Sequence, residues 1–116
     1  MHLQELVVQL ELTNRTGSVG LVREVTGGYA SDLLSDVMAN SQAGNIWVTL
    51  QIHPNIVAVA VLKELAGIII SNNREPEPAT IEKAEQEKIP ILTSSLPTYE
   101  LAGKLYELGV TGINPK

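Results

Sequence analysis

The chain has 116 residues, a formal net charge of -5, 44% hydrophobic and 18% charged residues, the balance of one globular domain. An acidic chain without a basic cluster lacks the electrostatic footprint of a nucleic-acid binder, and one Trp, three Tyr and no Phe leave no base-stacking platform. No apolar run approaches the roughly 18 residues of a membrane span, the first residues carry no secretion signal, and the lack of Cys removes disulfides and thiolate metal sites; a cytoplasmic protein is expected.

Leu3, Leu6, Val7 and Leu10 fall at i, i+3, i+4 and i+7, which predicts a short amphipathic helix. A turn is expected at residues 13–17, where Asn14 and Gly17 supply local hydrogen bonds and positive φ. Residues 19–25 hold enough Val and Leu for a strand, weakened by Gly20. Thr26-Gly27-Gly28 then reads as a strand-to-helix connection. It is either a plain turn or a place where backbone N–H groups approach an anion, although neither a Walker lysine nor G-x-G-x-x-G accompanies it. Ser31 or Asp32 is the expected N-cap of a helix with Leu33, Leu34, Val37 and Met38 on one face, ended by Ala43-Gly44-Asn45.

From Ile46 a strand–loop–helix unit repeats. Residues 46–50 read as a strand, 51–55 as its loop and 56–66 as a helix whose only charged face is Lys63-Glu64. Ala66-Gly67-Ile68-Ile69-Ile70 is a short apolar run, the pattern of a central strand buried on both faces, and the polar stretch 71–78 is the loop at its carboxyl end. Pro78 suits the first turn of a helix over about 78–88, with Glu82 near its positive end. A strand over 89–93, a loop over 94–98 and a helix carrying Leu101, Ala102, Leu105 and Leu108 follow, stopping at Gly109 as the C′ residue. The tail 112–116 is expected to be loosely held. Strands alternating with helices predict an α/β fold: a central, mostly parallel sheet with helices on both faces, in a single domain of residues 1–116.

Residues 56–62 are β-branched enough for a strand, but a second consecutive strand would leave no room for a crossover helix. As a helix the segment is apolar nearly all round and needs cover on more than one side. That cover is either a second copy of the chain, making a homodimer, or the chain's own N-terminal elements.

Ligands of parallel α/β sheets bind outside the carboxyl ends of the strands. That rule gathers Thr26, Gly27, Gly28, Ser31, Asp32, Thr49, Gln51, His53, Asn55, Ser71, Asn72, Arg74, Glu75, Thr93 and Ser94 as candidate ligand-binding residues. Neutral donors and acceptors with one Arg and one imidazole suit a small polar ligand with an anionic group, held by helix N-termini and Arg74. The same residue types also serve as caps and turn formers. His53 could act in catalysis because imidazole titrates near neutrality, yet His before Pro at a helix start also serves as a cap. Asp32, Glu75 and Glu77 could gather a hard cation or simply form a solvated acidic loop; no metal or cofactor is assigned.

The stretches Val25-Thr26-Gly27-Gly28-Tyr29-Ala30-Ser31-Asp32-Leu33-Leu34-Ser35-Asp36-Val37-Met38, Ile46-Trp47-Val48-Thr49 and Gln51-Ile52-His53-Pro54-Asn55 with the helix after it, taken together, resemble the DRTGG domain family. Gly67-Ile68-Ile69-Ile70, Arg74-Glu75-Pro76 and Ile89-Pro90-Ile91-Leu92 extend the resemblance over residues 20–109, the size of a stand-alone form of the domain. The resemblance implies a mostly parallel α/β domain like those between the CBS domains of regulatory inorganic pyrophosphatases and in some phosphotransacetylases, related in fold to the N-terminal domain of HPr kinase. It also implies a regulatory or assembly role at a dimer interface, without catalysis; adenine nucleotides there associate with CBS domains, which this chain lacks. The family's Asp-Arg before Thr-Gly-Gly is replaced by Glu24-Val25, so roles of that pair do not carry over. The expected function is a non-catalytic, homodimeric regulatory domain that binds a small anionic ligand or nucleotide. The alternatives are an interaction module without a ligand, and a small enzyme using His53.

Overall fold

In the computed structural model, which describes residues 1–112, a five-stranded sheet carries helices on both faces. The elements are α1 Leu3–Leu10, β1 Thr13–Asn14, β2 Gly27–Ala30, α2 Leu34–Asn40, β3 Asn45–Thr49, α3 Asn55–Lys63, β4 Gly67–Ile70, α4 Pro78–Glu87, β5 Ile91–Thr93 and α5 Thr98–Glu107. The sheet order is β1-β5-β4-β3-β2, parallel except for β1, which pairs antiparallel with β5. The expectation for residues 113–116 of the tail lies outside the described residues.

Alternation along the central strands splits the core in two, because successive strand side chains point to opposite faces. Ile46, Val48, Ile69 and Leu92 point toward α1 and α5, where Leu3, Leu6, Leu101 and Leu105 meet them. Trp47, Ile68, Ile70 and Ile91 point the other way, onto Val37 of α2, Ile56, Val57 and Ala60 of α3, and Ala84 of α4. The central strand β4 is buried throughout, as its uninterrupted apolar run requires.

Four local readings are corrected. Residues 19–25 form no strand: the carbonyls of Leu21 and Arg23 accept the first N–H groups of α1, and only Glu24 makes an isolated bridge, to His2. The segment caps a helix and so is spent before it could join the sheet. The strand lies further on and contains Gly27 and Gly28, paired with Asn45 and Ile46. A Cβ on Gly27 would stand 3.2 Å from the Thr111 carbonyl oxygen, so the glycine pair permits close approach of the chain that follows α5, not a turn. Residues 13–17 hold the edge strand β1; Asn14 does accept the Thr16 N–H and hydroxyl, but Gly17 has no positive φ. Neither Ser31 nor Asp32 caps α2, whose N-cap is Leu33 (64% exposed), and Met38 is exposed as well.

The helix reading of residues 56–62 holds, with α3 ending earlier than 66 because Glu64 turns left-handed and its N–H returns to Ala60 and Val61. Its cover within the chain is the sheet together with α4 and, of the elements N-terminal to it, α2, while α1 lies in the other core. Ala58, Val61 and Leu62 still face outward.

Candidate functional site

The carboxyl ends of β2, β3 and β4 open into one cleft of about 450 Å³, lined by Asp32, Leu50, Gln51, Ile52, His53, Arg74 and Glu77. Each polar wall is set by local chemistry. Asp32 follows β2, and its Oδ1 accepts the Thr49 hydroxyl at 2.9 Å and the Leu50 N–H at 2.7 Å. Thr49 is fully buried, so this carboxylate is anchored to the end of β3 through one oxygen, and its Oδ2 takes no hydrogen bond among the described residues. Gln51 donates its Nε2 to the Asp32 carbonyl at 2.8 Å, which leaves its Oε1 as an acceptor.

His53 shows why the turn before α3 behaves as it does. Its Nδ1 accepts the Asn55 N–H at 3.0 Å, and its carbonyl accepts the Ile56 N–H. A neutral ring used this way carries its proton on Nε2, so it presents a donor to the cleft. The first N–H groups of α3 are consumed by His53 and Pro54, which removes that helix N-terminus as an anion holder.

Arg74 arrives on a tight turn. Asn72 and Asn73 have φ of 62° and 57°, and the Arg74 N–H returns to the Ser71 carbonyl, the pattern of a type I′ turn. The turn is clamped from behind, where the Asn72 N–H bonds the Leu96 carbonyl at 2.7 Å and the Asn73 N–H bonds the Ser94 carbonyl at 2.8 Å. The Arg74 side chain is exposed and forms no ion pair among the described residues.

The sequence-based candidates therefore divide. Asp32, Gln51, His53 and Arg74 share the cleft. Thr26, Gly27 and Gly28 sit at the opposite, amino end of the sheet, with Thr26 bonded to Ala43 and Gly44. Ser31 accepts the Leu33 N–H and the Trp47 indole through its hydroxyl and carbonyl respectively. Asn55 lies on the first turn of α3. Ser71, Thr93 and Ser94 are buried, engaged respectively with Thr98, Arg15 and Leu96, and Glu75 pairs with Arg15 at 2.6 Å. Asn72 shapes the turn. No three potential metal ligands gather among the described residues. Glu77, which the sequence marks only as a cation candidate or part of a solvated acidic loop, is a wall of the cleft just before Pro78 at the start of α4, and the apolar walls Leu50 and Ile52 were missed.

Two other features have chemistry or volume of their own. On α2 the Asp36 carboxylate accepts the Tyr29 phenol at 2.9 Å and the Asn40 amide at 2.9 Å. The Ser31 hydroxyl, then Tyr29 and Asn40, hold the Asp36 carboxyl below its ordinary value, while Asp36 pushes the Tyr29 phenol up. A cavity of about 140 Å³ between β2 and α5, walled by Tyr29, Val48, Leu105 and Val110, carries no charged side chain among the described residues. The polar cleft is the better candidate because it combines position with convergent polar groups.

The family model of the DRTGG domain matches residues 29–108, most of the chain. A solved structure of the CBS and DRTGG domains of the regulatory region of the Clostridium perfringens pyrophosphatase, in complex with the activator diadenosine tetraphosphate, superposes with a TM-score of 0.64 at 12% identity. The match covers 87% of this chain and 44% of that one, and at this identity it is a likeness of fold. Among curated proteins no match was found.

Proposed function

This chain belongs to the DRTGG domain family, and from that premise we propose that it is a non-catalytic regulatory module that senses a small ligand bearing an anionic group. The reading rests on the convergence of Asp32, Gln51, His53 and Arg74 at the carboxyl end of the parallel sheet. Arg74 supplies a guanidinium that no neighbour among the described residues neutralises, suited to a planar anion. The Clostridium perfringens structure was solved with a nucleotide activator, and a regulatory role is carried here by family analogy. His53 acts as a cap and ligand contact in this reading, not as a general base, and residues 1–116 act as one domain in the cytoplasm, with its core in 20–109.

Thermal-shift titration with nucleotides and phosphorylated or carboxylated metabolites tests the module. Stabilisation that Arg74→Ala abolishes is expected; no shift with any of them would defeat the reading.

A second reading has its own observation. Leu62 is 70% exposed and Val61 40% exposed on α3, and Met38 is exposed on α2, which packs against α3. These residues would form a homodimer interface or a protein-docking face with no ligand. Light scattering separates the cases: a mass near 12.5 kDa at working concentration is a monomer and removes the homodimer.

A further inference from the structure

We infer that the cleft takes a small zwitterion, a molecule of α-amino acid type with one carboxylate and one ammonium group; this rests on the ligand-binding reading above and narrows it. The charge in the cleft decides the class. One guanidinium, Arg74, stands against two carboxylates, Asp32 and Glu77, with the His53 imidazole in the same lining. A polyphosphate would bring several negative charges into a lining that is net negative, on a chain whose own charge is -5. The parts that usually offset such charge are elsewhere or occupied. Gly27 and Gly28 lie at the other end of the sheet, and the opening N–H groups of α3 bond His53 and Pro54. Among the described residues no Phe, Tyr or Trp lines the cleft to stack a base, and its aromatic ring is the small imidazole of His53.

What the cleft offers is paired and of opposite sign. Arg74 can fork onto a single carboxylate, with the His53 Nε2–H as a further donor. Acceptors dominate the rest: the second oxygen of Asp32, held in place through Thr49 and Leu50, the free Oε1 of Gln51, and Glu77. Three acceptors with two negative charges suit an ammonium, which has three donors and no acceptor. Leu50 and Ile52, each half-buried, supply an apolar wall for a short carbon skeleton.

The experiment is calorimetric titration of the full chain with the L-amino acids at millimolar concentration. Propionate and propylamine serve as single-charge probes, and ATP and diadenosine tetraphosphate as polyanions. At least one amino acid is expected to bind while both single-charge probes fail. Arg74→Ala and Glu77→Gln are each expected to weaken that binding by about tenfold or more, the loss of one charge-assisted contact. Circular dichroism of each variant confirms that it is folded. Polyanion binding lost in Arg74→Ala, without amino-acid binding, overturns the zwitterion and leaves the ligand-sensing cleft standing. Amino-acid binding indifferent to both substitutions overturns this assignment, and no binding by any probe overturns both readings.

Discussion

Asn72 and Asn73 carry the local strain of aiming Arg74. Both are left-handed, a conformation that costs an ordinary L-residue roughly 1–2 kcal/mol and that Asn tolerates better than most. Asn73→Val should therefore lower the unfolding free energy by about 1–2 kcal/mol, whereas Asn73→Gly should leave it within about 0.5 kcal/mol; urea titration measures both. If Val is tolerated as well as Gly, the turn is not the rigid element described. The Tyr29–Asp36 contact makes a pH prediction of defined sign. Asp36 is held below its ordinary value, so its contribution is complete above pH about 4 and fades as pH falls through the lowered value. The Tyr29 phenol is raised, so its part persists until pH rises through that raised value, beyond the ordinary 10.0. Tyr29→Phe should thus lower the melting temperature at pH 7, and the difference from the parent should shrink in strong acid. A constant difference across pH would remove the carboxylate from the account.

Among the elements, legibility followed how far the signal was local. The β4 run, the α5 stripe ending at Gly109 with φ of 96°, and Pro78 opening α4 could all be read from short-range pattern. The stretch 19–30 could not. Its Val and Leu residues carry strand propensity, yet their backbone is claimed by α1, and Gly27 and Gly28 fit a strand only because the chain after α5 packs close against them. Both causes are contacts far apart in sequence, to which local propensity is blind. The same slip placed Thr26 at the wrong end of the sheet, while the loop after β3 and the turn carrying Arg74 were placed at the right one. Apolar α3 illustrates the remaining gap, since composition shows that it needs cover but not which side chains receive it. Val59 is 7% exposed and packs in the core, so Val59→Asp should unfold the protein and says nothing about partners. Leu62→Glu should leave the circular dichroism spectrum and monomer stability unchanged while dissociating any assembly through α3. An assembly that survives Leu62→Glu uses another surface.

At the scale of the whole molecule, the two cores share the sheet as a common wall, since β3 and β4 each send side chains into both. Neither helical layer can separate without exposing one face of those strands, so the domain should unfold in one step. Trp47 makes this measurable. It is the only Trp, fully buried in the core beneath α2, α3 and α4, with its indole N–H donated to the Ser31 carbonyl at 2.8 Å. Its fluorescence reports one layer, whereas far-UV circular dichroism sums the helices of both faces, including α1 and α5 on the other. The two urea transitions should coincide, and a circular dichroism phase without a fluorescence counterpart would mean that the α1–α5 layer melts alone. Repeating the titration over a range of protein concentrations separates the states of assembly, because a monomer has a fixed midpoint. A homodimer through α3 would shift its midpoint upward with concentration, and Leu62→Glu should abolish that dependence without changing the slope.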